Sequence, residues 1–369
     1  MHRLHSSLAT AWLLCSSGAF AQQEVPPVAR TDSGKFAIEG YVEAFYLYNS
    51  NKPNDGNVPY FVSFNRHNEF NINLAYVSGR YTSDRVRGVF TPGFGTYMNA
   101  NYAAEPATLK NILEANVGLK LFAKKDIWLD MGVLPSPYTN ETAVSFDQPT
   151  LTRSFAPEYV PYFVSGARLT LPFGKRIRFY GYLLNGWQQM QDVNSTLAFG
   201  SWLEYRPSSK LSINWNVFVG DERSELAPLN RMRHLQDIYF IYTPIGRWSF
   251  TASAYGGWQY LEEEEGGTVV KQWWQANATA RYACAPNRWI YGRIETFNDP
   301  QGGISVSATG LEGFEAVSGT LGYDANVSSM VKLRLESRFF SARDDAYLRD
   351  EITVSNEMWL VVGLTAKFK

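Results

Sequence analysis

The sequence predicts an all-β protein, a transmembrane up-and-down antiparallel β-barrel of about 16 strands, within a range of roughly 14–18. Three observations predict this class. Segments in which apolar and polar residues alternate recur along the chain, the connections between them are long and short in turn, and aromatic residues of the apolar parity gather near both segment ends. Because successive side chains of a strand point to opposite faces, each segment indicates a strand with one apolar and one polar face.

Residues 1–21 have the pattern of a cleaved secretory signal peptide. Arg3 provides the positive start, residues 8–15 are apolar, and Ala19-Phe20-Ala21 supplies the small residues that a signal peptidase reads. Residues 22–34 are polar and include two prolines, so we expect a periplasmic lead-in without fixed structure. The transmembrane barrel is then expected over residues 35–369.

The composition of the mature chain excludes several classes of protein. Without the signal it has 33 basic and 35 acidic residues, a net charge of −2, so it lacks the basic excess that nucleic-acid binding uses. Cys284 is its one cysteine, so an internal disulfide cannot form. No apolar run approaches the roughly 20 residues of a transmembrane helix. A barrel is therefore the way in which this exported chain would span a membrane.

The alternating segments are bounded by turn residues and show no break that would mark a second domain. Leu333 and Leu335, for example, share one parity, and Arg334 and Glu336 share the other. In chain order, the predicted strands span 35–48, 68–79, 84–95, 109–122, 126–135, 161–172, 175–187, 195–206, 210–220, 232–243, 247–260, 269–284, 288–298, 313–324, 329–340 and 355–369.

The connections between these segments sort by length. The long or moderate ones span 49–67, 96–107, 136–161, 188–194, 221–231, 261–268, 298–312 and 342–354. The short ones alternate with them and carry turn chemistry such as Pro172-Phe173-Gly174. Outer-membrane barrels have this arrangement, with short turns on the periplasmic side and long loops outside, whereas a Greek-key sandwich has no reason to sort its loops.

Aromatic residues on the apolar parity form two groups. Those near the short-turn ends are Tyr76, Tyr205, Tyr242, Trp248, Tyr282, Tyr323 and Phe368. Those near the long-loop ends are Tyr46, Tyr48, Phe94, Trp258 and Trp274. Two belts of aromatic rings that flank an aliphatic band are typical of a barrel in a bilayer with two interfaces.

The polar parity then faces the barrel interior. Its charged members, which we predict to line a pore, are Glu39, Glu43, Arg85, Arg87, Glu114, Lys120, Asp130, Arg168, Arg178, Arg293, Glu295, Lys332, Arg334, Glu336 and Arg338. Buried charges without partners are costly, and a barrel of about 16 strands is too wide for side chains to fill. The pattern therefore indicates a water-filled lumen of mixed charge.

The longest connection, residues 136–161, follows the fifth strand. A loop of this length usually has a function. It carries the charged residues Glu141, Asp147, Arg153 and Glu158. We predict that it folds into the lumen and narrows it, with its acids facing wall arginines; the alternative is a loop that extends outward or caps the mouth. The expected arginine partners are Arg85, Arg87, Arg168 and Arg178.

The sequence offers little for an enzyme. The mature chain has two histidines, His67 and His234, and neither lies in a Gly-x-Ser-x-Gly context or in another nucleophile motif. It has no Cys/His metal spacing and no phosphate-binding glycine loop, so we expect no enzymatic activity, no metal and no cofactor.

Several short motifs spread over most of the mature chain are similar to those of one family. These motifs are Gly40-Tyr41-Val42 with Phe45-Tyr46, Met131-Gly132-Val133-Leu134, Thr152-Arg153-Ser154, Gly166-Ala167-Arg168-Leu169, and Leu184-Asn185-Gly186-Trp187 followed by Asp192 and Asn194. Together they resemble the porin-2, or OmpL-like, family of bacterial outer-membrane β-barrels. The resemblance implies an outer-membrane porin of generally undefined solute preference.

The expected function is passive diffusion of small hydrophilic solutes and ions through the lumen of an outer-membrane porin. The alternative is a surface-exposed barrel whose outer loops act as an adhesin or binding protein. The expected partners are outer-membrane lipid, lipopolysaccharide and small solutes but not nucleic acid, and a homo-trimer is left open. The expected location is the bacterial outer membrane.

Overall fold

Sixteen antiparallel strands close into a barrel in the computed structural model, which describes residues 33–225 and 227–369. The predicted signal peptide and residues 22–32 of the predicted lead-in lie outside the described residues. The barrel strands are β1 Lys35–Asn49, β2 Phe70–Thr82, β3 Val86–Phe94, β4 Ile112–Phe122, β5 Lys125–Pro135, β6 Phe163–Phe173, β7 Ile177–Leu184, β8 Ala198–Ser208, β9 Leu211–Asp221, β10 Met232–Tyr242, β11 Trp248–Glu262, β12 Thr268–Ala285, β13 Arg288–Asp299, β14 Phe314–Asn326, β15 Val331–Ala342 and β18 Asn356–Phe368.

The long loops carry the remaining elements. These are helices α1 Thr96–Asn101 and α2 Phe155–Glu158, 3₁₀ turns Ala107–Asn111 and Ser145–Asp147, and a hairpin of β16 Tyr347–Arg349 and β17 Ile352–Val354. No helix in the described part of the chain is long and apolar enough to cross a membrane.

Each barrel strand pairs with its neighbours in sequence, and the first strand pairs with the last. The β1–β18 register runs from Gly40 opposite Phe368 to Asn49 opposite Trp359. In the described residues this closure leaves the barrel sheet without a free edge, so each barrel strand has a hydrogen-bonding partner on both sides. The predicted fold class is confirmed. The fourth strand begins later than predicted, at Ile112, because residues 107–111 form a 3₁₀ turn.

The two faces of the barrel wall differ as the alternation predicts. Leu321 and Ile294 on the outer face are 73% and 70% exposed. On β15, exposed Leu335 lies between Arg334 and Glu336, which are buried inside the barrel. The apolar side chains therefore form the outer surface, as a lipid environment requires.

Two predicted positions are wrong. Tyr76 faces the interior and packs against Tyr41, with ring centroids 5.2 Å apart, rather than joining an outer belt. A bulge places the extra residue Asn73 in β2 and exchanges the two faces of the strand from that point. Arg85 lies in the exposed turn before β3 rather than on the strand, so its side chain is not part of the interior row.

Candidate functional site

The loop between β5 and β6, residues 136–162, lies inside the barrel and is called L3 below. Near its start, the Thr139 backbone N–H donates to Asp237 of β10 at 2.9 Å. Near its tip, Asp147 accepts from Lys367 of β18 at 2.5 Å. L3 thus crosses the interior from one wall to the other instead of extending outward.

Glu336 of β15 is the main anchor of the returning half of L3. Its carboxylate accepts the backbone N–H groups of Leu151 and Thr152 at 3.0 and 3.2 Å. It also accepts the Thr152 hydroxyl and the Tyr291 hydroxyl, the latter at 2.7 Å. A buried carboxylate is stable when several donors satisfy its oxygens, so this residue and the loop stabilise each other.

Two arginines complete the anchor from the same wall. Arg293 of β13 donates to the Thr152 carbonyl oxygen at 2.7 Å, and Arg338 of β15 donates to the Arg153 carbonyl oxygen at 2.8 Å. Both guanidinium groups also pair with Glu295, at 3.2 and 2.8 Å. Glu295 in turn accepts the backbone N–H of Phe155 at 2.7 Å. The predicted interior charges of β13 and β15 are therefore covered by L3.

The short-turn half of this wall is covered in the same way. Arg334 pairs with Asp324 at 2.7 Å and donates to the Ser145 carbonyl oxygen at 2.6 Å. Lys332 donates to the Phe146 carbonyl oxygen, and Glu43 of β1 accepts the Ser145 hydroxyl. Of the charges predicted on β1, Glu39 remains partly exposed, beside Lys367 and Lys369 at 3.5 and 3.4 Å.

The acids of L3 do not meet the arginines that we expected. Glu141 pairs with Arg293 at 3.3 Å, Asp147 with Lys367, and Glu158 with Arg153 of the loop itself at 3.9 Å. The expected partners carry acids from their own wall: Arg87 and Arg168 lie 2.6 and 3.1 Å from Asp130, and Arg178 lies 3.8 Å from Glu204. L3 contacts the opposite wall, with partners on β13 and β18, and sequence spacing does not predict which wall a loop contacts.

Arg153 and Glu158 form a buried pair within L3. The Arg153 guanidinium lies 4.6 Å from the ring of Tyr97 and 4.5 Å from that of Tyr162. Burial raises the pKa of the Glu158 carboxyl, and the Arg153 charge opposes that rise. Tyr97 belongs to α1 of another long loop, so this contact joins two of the long loops.

A cluster of aromatic side chains lies in the long-loop half of the interior, which sequence reasoning missed. Phe155 of L3 packs against Phe297, Phe314 and Phe340 of three neighbouring strands, with ring centroids 5.7–6.1 Å apart. Phe61 of the first long loop stacks on the same Phe155. The signal was present in the sequence, because the interior parity changes from charged to aromatic near the long loops.

The wall of β3 to β8 is covered less. The side chains of Arg87, Arg178 and Arg206 are 32%, 44% and 63% exposed, whereas those of Asp130 and Glu204 are 0% and 5% exposed. The acids thus lie behind the arginines, and the guanidinium groups face the open space. Glu114, paired with Arg80 at 2.9 Å, and Lys120 lie on the same side and are partly exposed.

The comparisons with known proteins concern this same barrel. Residues 35–368 match a family model described as "Putative beta-barrel porin-2, OmpL-like". No curated protein matches the chain by sequence.

Solved structures share the fold at low identity. An anion-selective porin from Comamonas acidovorans is 10% identical with a TM-score of 0.58, covering 91% of this chain and 100% of its own. The outer membrane channel DcaP of Acinetobacter baumannii is 12% identical with a TM-score of 0.62, covering 91% and 97%. OmpT of Vibrio cholerae, described as an in-vitro folded trimer form, is 11% identical with a TM-score of 0.57, covering 91% and 100%.

The family model spans every strand of the barrel, from the start of β1 to the end of β18. The chain belongs to the β-barrel porin-2, OmpL-like family of outer-membrane porins.

Proposed function

We propose that the barrel lets small hydrophilic solutes and ions diffuse passively across the outer membrane through a lumen of mixed charge. The observation that carries this proposal is the partly exposed wall of β3 to β8, where arginines face an open space inside an apolar outer surface. Charged groups of this kind select solutes by size and charge without a covalent step. The family model and the closed barrel support a channel of the porin class.

The route would run between L3 and the wall of β3 to β8. In the long-loop half, Phe155 of L3 and Phe61 of the first long loop narrow the interior from the side of β13 to β15. We therefore propose that L3 constricts the lumen and that Glu141, Asp147, Arg153 and Glu158 hold it in its inward position.

Conductance of the refolded protein in planar lipid bilayers tests the proposal. Stable current steps are expected, with larger steps after deletion of residues 139–147 at the inner part of L3. A deletion of residues 263–266 in a long loop that lies outside the barrel interior serves as the matched control and should leave the steps unchanged. Equal steps with and without residues 139–147 would refute the constriction role of L3.

A second candidate is a surface-exposed barrel whose outer loops bind a partner. The aromatic cluster in the long-loop half of the interior favours it, since a barrel blocked by side chains does not conduct. A folded protein that gives no current steps, before or after the deletion of residues 139–147, would support this binding role and refute the porin.

We also propose contacts with outer-membrane lipid and lipopolysaccharide, and assembly as a homo-trimer. One V. cholerae structure of the same fold is described as a trimer. Sedimentation of the detergent-solubilised protein tests the assembly: a particle of one chain would contradict it.

A further inference from the structure

A cavity of about 340 Å³ lies inside the barrel at the short-turn half of β8 to β10. Trp202 and Tyr239 give it two aromatic surfaces, Arg206 and Glu204 lie at its side, and Asn214 adds a polar group. These lining residues come from β8, β9 and β10 and not from L3. A concave site with aromatic walls and a few placed polar groups is the usual form of a small-molecule site.

The indole ring of Trp202 is held in one orientation. One face stacks on Tyr180 of β7, with ring centroids 4.2 Å apart and an interplanar angle of 12°. Its Nε1–H donates to the Asn214 side-chain oxygen at 2.9 Å. Because the Trp202 ring is already ordered, the protein loses little additional side-chain freedom when a flat ligand packs on it.

The charge beside this ring is positive. Arg206 lies 2.5 Å from the Glu204 carboxylate, and Arg178 lies 3.8 Å from the same carboxylate. Two guanidinium groups thus share one buried acid, while the side chains of Arg178 and Arg206 are 44% and 63% exposed. A guanidinium group has five N–H donors, so the donors that do not meet Glu204 can bind a second carboxylate.

We infer that this cavity binds a small organic anion that carries a carboxylate next to a flat aromatic ring. The ring packs in the cavity beside Trp202 and Tyr239, and the carboxylate meets Arg206, which lines the same cavity. The inference rests on the proposed function to the extent that such a solute reaches the cavity through the lumen.

Calorimetric titration of the folded, detergent-solubilised protein tests the site without requiring conductance. Benzoate is the probe, and cyclohexanecarboxylate has the same charge and a similar size but no aromatic ring. We expect benzoate to bind at least about five-fold more tightly. Trp202→Leu should reduce that ratio below about two-fold, and Arg206→Gln should weaken both probes by a similar factor.

Two variants separate recognition from folding. Trp289→Leu removes a tryptophan from the short-turn end of β13, outside the cavity, and should leave the benzoate ratio unchanged. Trp202→Phe keeps a stacked ring and should retain most of the preference. Equal affinities for the two probes in the native protein, or no binding of either, would overturn the inference. Benzoate binding by a protein without current steps would refute the porin proposal alone.

Discussion

Leu321 lies in the middle of β14 on the outer face, between Gly292 and Ser337 of the neighbouring strands. Its side chain is 73% exposed and belongs to the apolar outer surface that a bilayer would cover. Leu321→Arg should therefore lower the free energy of unfolding by about 2–4 kcal/mol, the cost of an arginine at the bilayer midplane. Urea unfolding in lipid vesicles measures this free energy of unfolding. Val306→Arg, at an 88% exposed loop position, should change stability by less than about 0.5 kcal/mol; equal losses would contradict the assigned faces.

Arg334 lies inside the barrel and, in contrast to Leu321, is completely buried. Its guanidinium pairs with Asp324 and donates to the Ser145 and Gln148 carbonyl oxygens of L3. Its parity alone predicts a solvated pore residue whose loss changes only ion selectivity. Its complete burial predicts instead that Arg334→Ala lowers the free energy of unfolding by about 3 kcal/mol, because buried acceptors lose their donor.

The matched control for Arg334 is Arg80, which pairs with Glu114 and has a half-exposed side chain. Arg80→Ala should cost less than about 1 kcal/mol in the same unfolding measurement. Similar losses for the two variants would show that L3 does not cover Arg334 in the membrane.

At the scale of the elements, the inward position of L3 depends on the side chain of Glu336. Glu336 accepts two backbone N–H groups and a hydroxyl from Leu151 and Thr152. Glu336→Gln keeps the shape but removes the charge and gives N–H groups where the loop requires acceptors. We expect more frequent or larger current steps in planar bilayers, because the inward position of L3 becomes less stable. Glu315→Gln, at an exposed ion pair near the long loops, is the control; identical currents for the two variants would contradict the anchor.

The strands were predictable from sequence because each requires only an alternation with period two, which burial on one face imposes locally. The inward course of L3 could be proposed from its length, but its partners could not. Whether the acids of L3 meet Arg87 or Arg293 depends on which wall the loop contacts. Neither arginine lies near L3 in sequence. The face of Tyr76 was missed because one extra residue, Asn73, reverses the strand's parity without changing its composition.

At the scale of the whole molecule, stability depends on closure between β1 and β18. Their ladder satisfies the backbone groups of both terminal strands, and β18 also pairs with β15 on its other side. Removal of residues 356–369 would leave β1 and β15 with unpaired N–H and C=O groups facing lipid, where no water can satisfy them. We therefore expect the truncated chain to fail to form a barrel at all rather than a smaller one.

The difference between folded and heated mobility in SDS gels would show this loss, because a closed barrel keeps its compact form without heating. Deletion of Lys369 alone is the matched control, since it lies beyond the end of β18 and its amine is exposed beside Glu39. A truncated chain that kept the folded mobility would show that β1 can pair directly with β15. That pairing would need the interior parities of both strands to match over their length, and L3 would lose the contact of Asp147 with Lys367. The terminal strand β18 therefore has two roles. It satisfies the backbone groups of β1 and β15, and its Lys367 holds one end of L3.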